Sequence, residues 1–173
     1  ASVIGLGAEH LDGKSYEIVK ETLDTAIENG VNIVDIFMPG HDIRQKLGKA
    51  LRGRRKEMII QGHLGSSDIN QQYDISRDMP TVKKYFDNLL VDLGTDYIDI
   101  GMLFFIDTED HFDAVFHSEF IRYAQQLKQG GTIRAIGASS HNPVIARKIV
   151  ETGVVELLMC SINPAFDMVP QFF

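Results

Sequence analysis

The stretch GLGAEHLDG, residues 5–13, decides which kind of α/β fold the chain adopts. It overlaps a short apolar run, Ser2 to Gly7, that reads as a first strand. It precedes a helix expected from about Ser15 to Asn29, with Ile18, Leu23, Ala26 and Ile27 as its apolar stripe. A dinucleotide-binding open sheet would carry G-x-G-x-x-G at this turn, so that the backbone could approach a pyrophosphate. Here Gly5 and Gly7 are followed by Ala8 and Glu9, and that fingerprint fails. The remaining parallel architecture is the closed β/α barrel, which needs eight strands.

Outward from this turn, short β-branched runs alternate with segments of helical period, the pattern of repeated β-α units and a parallel sheet. Five further strands are expected in VNIVDIF (31–37), EMIIQG (57–62), YIDIGMLFF (97–105), IRAIGASS (133–140) and VELLMCSI (155–162). YIDIGMLFF is apolar almost throughout, as a strand covered on both faces should be. Helices are expected near Asp42 to Leu51, from Pro80 to about Gly94, near Glu119 to Lys128, and from Pro143 to Thr152. Residues 65–78, GSSDINQQYDISRD, read as a long polar loop. The expectation is one partial TIM-type barrel domain over residues 1–173, with the first six strands and five helices. Two unpaired strand edges would then remain, so the chain is expected either to belong to a longer protein or to pair with itself or another chain.

The 173 residues are 44% hydrophobic and carry a net charge of -7, which argues against nucleic acid and anionic membrane surfaces as partners. The one basic run, RGRRK (52–56), reads as a solvated turn. A single cysteine, Cys160, excludes a disulfide within the chain and a cysteine-rich metal site. A cytoplasmic location is expected, because a lone cysteine fits a reducing compartment, and no apolar run reaches the roughly 18 residues of a membrane span.

Four segments in order, GLG, then GVNIVD with LGKAL, LGTDYIDI, and GTIRAIGASSHNP, resemble the aldo-keto reductases over essentially the whole chain. The variants IIQGHLG and SINPAFD resemble the subset of that family whose barrel is followed by an iron-sulfur, ferredoxin-like segment; no cysteine-rich segment is present here. The resemblance implies a TIM barrel that reduces a small-molecule carbonyl substrate with NADPH or NADH. It further implies a tetrad of Asp, Tyr, Lys and His at the strand ends, the Tyr donating a proton as hydride arrives. The Asp position falls on Asp35, the Tyr position on Gly40, the Lys position on His63 and the His position on Phe104. Three of the four have changed type. His63 and His41 are therefore the candidate acids, since imidazole titrates near neutral pH.

For the cofactor, the resemblance assigns the nicotinamide carboxamide to Ser139, with Ser140 at the usual Asn position and Asn163 on the strand-end pair Asn163-Pro164. The carboxamide-binding Gln position falls on Met159. The loops that grip the adenosine phosphates in the family lie on its last two β-α units, after NPAFDMVPQFF in this ordering. Two alternatives stand beside an oxidoreductase with a non-standard acid-base set. One is a catalytically degenerate barrel with a binding or regulatory role, and the other a metal-dependent hydrolase using His10, His41, His63 and Asp35.

Overall fold

Side-chain parity along the strands and capping chemistry at the helix ends fix the elements. In the computed structural model, which describes residues 1–69 and 72–162, six parallel strands form one curled sheet in the order β1-β2-β3-β6-β7-β8. They are β1 (Leu6–Gly7), β2 (Ile33–Ile36), β3 (Ile59–Leu64), β6 (Ile98–Leu103), β7 (Ile133–Ser140) and β8 (Leu157–Cys160). That order follows the chain without reversing direction. A doubly wound sheet would reverse at a switch point, so this one-way winding is that of a barrel.

The helices are α1 (Tyr16–Glu28), α2 (His41–Ala50), α3 (Met79–Leu93), α4 (Glu109–Phe116), α5 (Glu119–Gln129) and α6 (Pro143–Glu151). Their ends carry the expected chemistry. Ser15, Asp78 and Asn142 accept backbone N–H groups in the first turns of α1, α3 and α6, and Gly94 closes α3 in the left-handed region at φ 62°. Val19 and Leu23 of α1, Ile43 and Leu47 of α2, and Phe86 and Leu89 of α3 pack with Val34, Ile36 and Ile60 of the strands in one cluster. Each such side chain contributes about 1.5–3 kcal/mol on burial, which is what holds the helices to one face of the sheet.

The structure departs from the sequence expectation in four places. Residues 65–78 are not an open loop: β4 (Ser66–Ile69) and β5 (Gln72–Ile75) form an antiparallel hairpin. Two of its serines find backbone acceptors. Ser66 and Ser67 are both 1% exposed and donate their hydroxyls to the carbonyls of Phe37 and Asp74. A sixth helix, α4, lies before α5. Thr108 caps it, and only eight residues carry its period. The first strand is shorter than expected, because only Leu6 and Gly7 pair with β2. The basic run is also partly engaged: Arg55 pairs with Asp99 at 2.7 Å and Arg54 with Asp24 at 2.5 Å. Among the described residues no helix is long and apolar enough to cross a membrane.

One glycine sets how closely α2 and α3 approach. A Cβ on Gly48 would lie 2.5 Å from the backbone oxygen of Leu93 and 2.7 Å from its carbonyl carbon. Backbone cannot yield as a flexible side chain can, so Gly48→Ala should cost about 1–3 kcal/mol through forced separation of the two helices. Urea denaturation should show a lower midpoint with an unchanged slope.

Candidate active site

Strand register assembles the site. Asp35 of β2 lies beside Gln61 of β3, so both side chains share the inner face of the sheet, and His63 stands two residues further on the same face. Their neighbours Val34, Ile36, Ile60 and Leu64 point the other way, into the helix-facing core. Asp35 Oδ1 accepts hydrogen bonds from His63 Nε2 at 2.7 Å and Gln61 Nε2 at 3.0 Å. A carboxylate has no proton to give, so the bond places the imidazole proton on Nε2. His63 Nδ1 is buried and has no hydrogen-bond partner among the described residues. Around it stand the ring of Phe104, edge-on with centroids 5.2 Å apart, and the ring of Phe37 at 6.2 Å.

This pair opens onto a cavity of about 380 Å³ at the C-terminal ends of the strands, within the size range of small-molecule sites. Asp35, His63, Phe104, Ser139 and Ser140 line it, with Met159 and Cys160 at its edge. Each wall is pinned from behind. The backbone N–H of Ala8 donates to Asp35 O at 3.0 Å, and the fully buried Arg44 donates through Nε to Met38 O at 2.9 Å, holding the loop after β2. Burial pushes the Arg44 guanidinium down to about 10, against the opposing pull of Asp92 and Tyr85. Arg77 donates to the carbonyls of Phe104 and Phe105 at 2.7 and 3.0 Å, and burial pushes it down to about 10 as well. Phe105 sits at φ 53°, a strained backbone for a bulky residue, and its N–H donates to Ser139 Oγ at 2.9 Å.

The two serines differ in what they have left to offer. Ser139 accepts from Phe105, and its own proton has no protein acceptor among the described residues. Ser140 is committed: its hydroxyl donates to Asp107 Oδ1 or Asn142 O and accepts the Asn142 N–H. The Asp107 carboxylate also takes the His141 backbone N–H at 2.6 Å and His141 Nδ1 at 2.9 Å, forming a second imidazole–carboxylate pair. Beside it, His111 is held below the ordinary imidazole value, chiefly by burial and next by the Arg77 charge.

The structure brings Asp35, His63, Ser139 and Ser140 together and leaves His41 out. His41 begins α2 and turns outward, its Nδ1 2.6 Å from Asp92 Oδ2, and it does not line the cavity. Asn163 lies outside the described residues. Among those residues no three His, Cys, Asp or Glu side chains gather as metal ligands, which removes the hydrolase arrangement built on His10, His41, His63 and Asp35. Sequence reasoning passed over Tyr73, Glu9 and His141, all of which line the cavity. The available signal for Tyr73 was an aromatic flanked by polar residues after a strand end, which a loop reading conceals.

The sequence profile described as the Aldo/keto reductase family matches residues 3–168. The chain belongs to the aldo/keto reductase family. A curated relative, the uncharacterized oxidoreductase YqkF of Bacillus subtilis, is 30% identical over 164 residues, which cover 91% of this chain and 51% of that protein. The holo form of the aldo-keto reductase AKR11C1 of Bacillus halodurans superposes with a TM-score of 0.75 at 26% identity, over 92% of this chain and 53% of that one. An aldo-keto reductase of Klebsiella pneumoniae in complex with NADPH shares the fold, with a TM-score of 0.67 at 18% identity over 87% of this chain and 50% of that one. The chain thus spans about half the length of these aldo/keto reductases.

Removing the acceptor of a buried donor costs more than the bond itself is worth. Asp35→Ala leaves His63 with neither ring nitrogen bonded among the described residues, and should lower the unfolding free energy by about 1–3 kcal/mol in urea. A loss indistinguishable from zero would mean that His63 is not held as described.

Proposed function

We propose that the protein is a carbonyl reductase that uses NADPH or NADH and a non-standard acid-base set. The observation that carries this reading is the Asp35–His63 pair, which faces an aromatic-walled cavity at the strand ends of an aldo/keto reductase barrel. In this reading residues 1–173 form one partial barrel domain, and the site takes a small-molecule carbonyl substrate.

The side chains present fit a nicotinamide. The free proton of Ser139 suits a carboxamide oxygen, and the cavity accommodates a flat ring against Phe37 and Phe104. The Klebsiella relative crystallised with NADPH supports the choice of nucleotide through its shared fold. When bound, the nicotinamide supplies the hydride. The chain's own residues do the rest. Asp35 holds the His63 ring through Nε2, and the phenylalanines keep water from the reacting carbonyl. The iron-sulfur subset enters this reading only by resemblance, since one cysteine cannot supply a cluster's ligands.

Titrating the purified protein with NADPH and with NADH, while following nucleotide fluorescence, tests the reading. Saturable binding of one nucleotide per chain, with oxidation when an aldehyde or ketone is added, is the expected outcome. Absence of binding at millimolar nucleotide would overturn it.

A further inference from the structure

The carbonyl-reductase reading leaves the proton without a source. A donor must meet two demands: it has to reach the cavity, and it has to recover a proton from solvent after each turnover. His63 meets the first alone. Its side chain is fully buried, with Nε2 committed to Asp35 and Nδ1 enclosed by the rings of Phe37 and Phe104. His141 lines the cavity with Nδ1 bonded to Asp107. Gly40 has no side chain, and a Cβ built there would meet nothing within 4 Å, so that position is open.

We propose that Tyr73, on the β4–β5 hairpin, is the proton donor of this site. Tyr73 lines the cavity with Asp35 and His63 and is half-exposed, at 50% of its surface, so it borders both the cavity and water. Its ring stands edge-on to Phe37, with centroids 5.2 Å apart at 86°, and Phe37 in turn abuts His63. The hairpin that carries it is anchored at several points. Ser66 Oγ donates to Phe37 O at 2.5 Å, Ser76 N donates to Gly65 O at 2.8 Å, and Tyr85 Oη donates to Asp68 O at 2.9 Å. Asp68 lies directly across the ladder from Tyr73, so the hydroxyl of Tyr85 fixes the strand position opposite the donor.

The step balances as follows. A bound reduced nicotinamide would supply the hydride to the carbonyl carbon by breaking one of its own C–H bonds, while the carbonyl π pair moves onto oxygen and takes the phenol proton of Tyr73. The products are an alcohol and the oxidised dinucleotide. The phenolate left on Tyr73 takes a proton from water at its exposed edge.

This proposal rests on the carbonyl-reductase reading, and the experiment separates the two. Tyr73→Phe removes the hydroxyl and keeps the ring. Its nucleotide affinity should stay within about twofold of wild type, while kcat falls by about 10²–10⁴ and KM for the carbonyl changes little. Fluorotyrosine labelling gives a readout without turnover. The chain has five tyrosines, Tyr73→Phe identifies the Tyr73 resonance by its loss, and that resonance should shift when acetone is added with oxidised nucleotide. A Tyr73→Phe enzyme within tenfold of wild-type kcat, or a Tyr73 resonance unmoved by acetone, overturns the assignment. A wild-type protein that binds no nucleotide overturns the reductase reading and the assignment together.

Discussion

A 2.7 Å hydrogen bond between neighbouring strands orders the inner face of this barrel. Asp35 and His63 can meet only if β2 and β3 run parallel in the observed register, because a slip of one residue would turn every side chain of one strand to the opposite face. The register is guarded from the other side. Val34, Ile36, Ile60 and Leu64 must all remain in the apolar layer beneath the helices, where water is excluded. The polar pair is thus positioned by apolar packing that never touches it.

From that pair outward, the site is built by loops whose backbones are held by buried cations. Arg44 secures the segment after β2 and Arg77 the segment after β6, each by donating to carbonyl oxygens. Guanidinium groups buried in this way are costly unless their donors find acceptors, so the loops they hold are coupled to the rest of the fold. The strained Phe105, with its N–H on Ser139, ties the β6 end to the β7 end. The hairpin adds a wall that the barrel alone does not supply, and with it a phenol.

The fold was largely legible in the sequence, because strands covered on both faces and capped helices leave strong local signals. IRAIGASS coincides with β7, and Pro143 opens α6 behind the Asn142 cap. The hairpin was not legible. Its serines and backbone groups satisfy one another, so the stretch has the composition of a loop while having the geometry of a sheet. The short α4 was lost because eight residues carry too little period to separate from a turn. At the site, the placement of Asp35 and His63 followed from strand ends, whereas His41 misled by its adjacency to Gly40. A helix-starting residue points where the helix dictates, in this case toward Asp92 of α3. The Asp107–His141 pair depends on two loops meeting across β6 and β7, which no local pattern records.

The central claim is that Asp35 holds His63 through a proton on Nε2. Long-range proton–nitrogen NMR of the histidine-labelled protein reads this directly. The account predicts that His63 carries a proton on Nε2, and that Asp35→Asn moves the Nε2 signal. A proton on Nδ1 with Nε2 bare, or a His63 spectrum indifferent to Asp35→Asn, would contradict it.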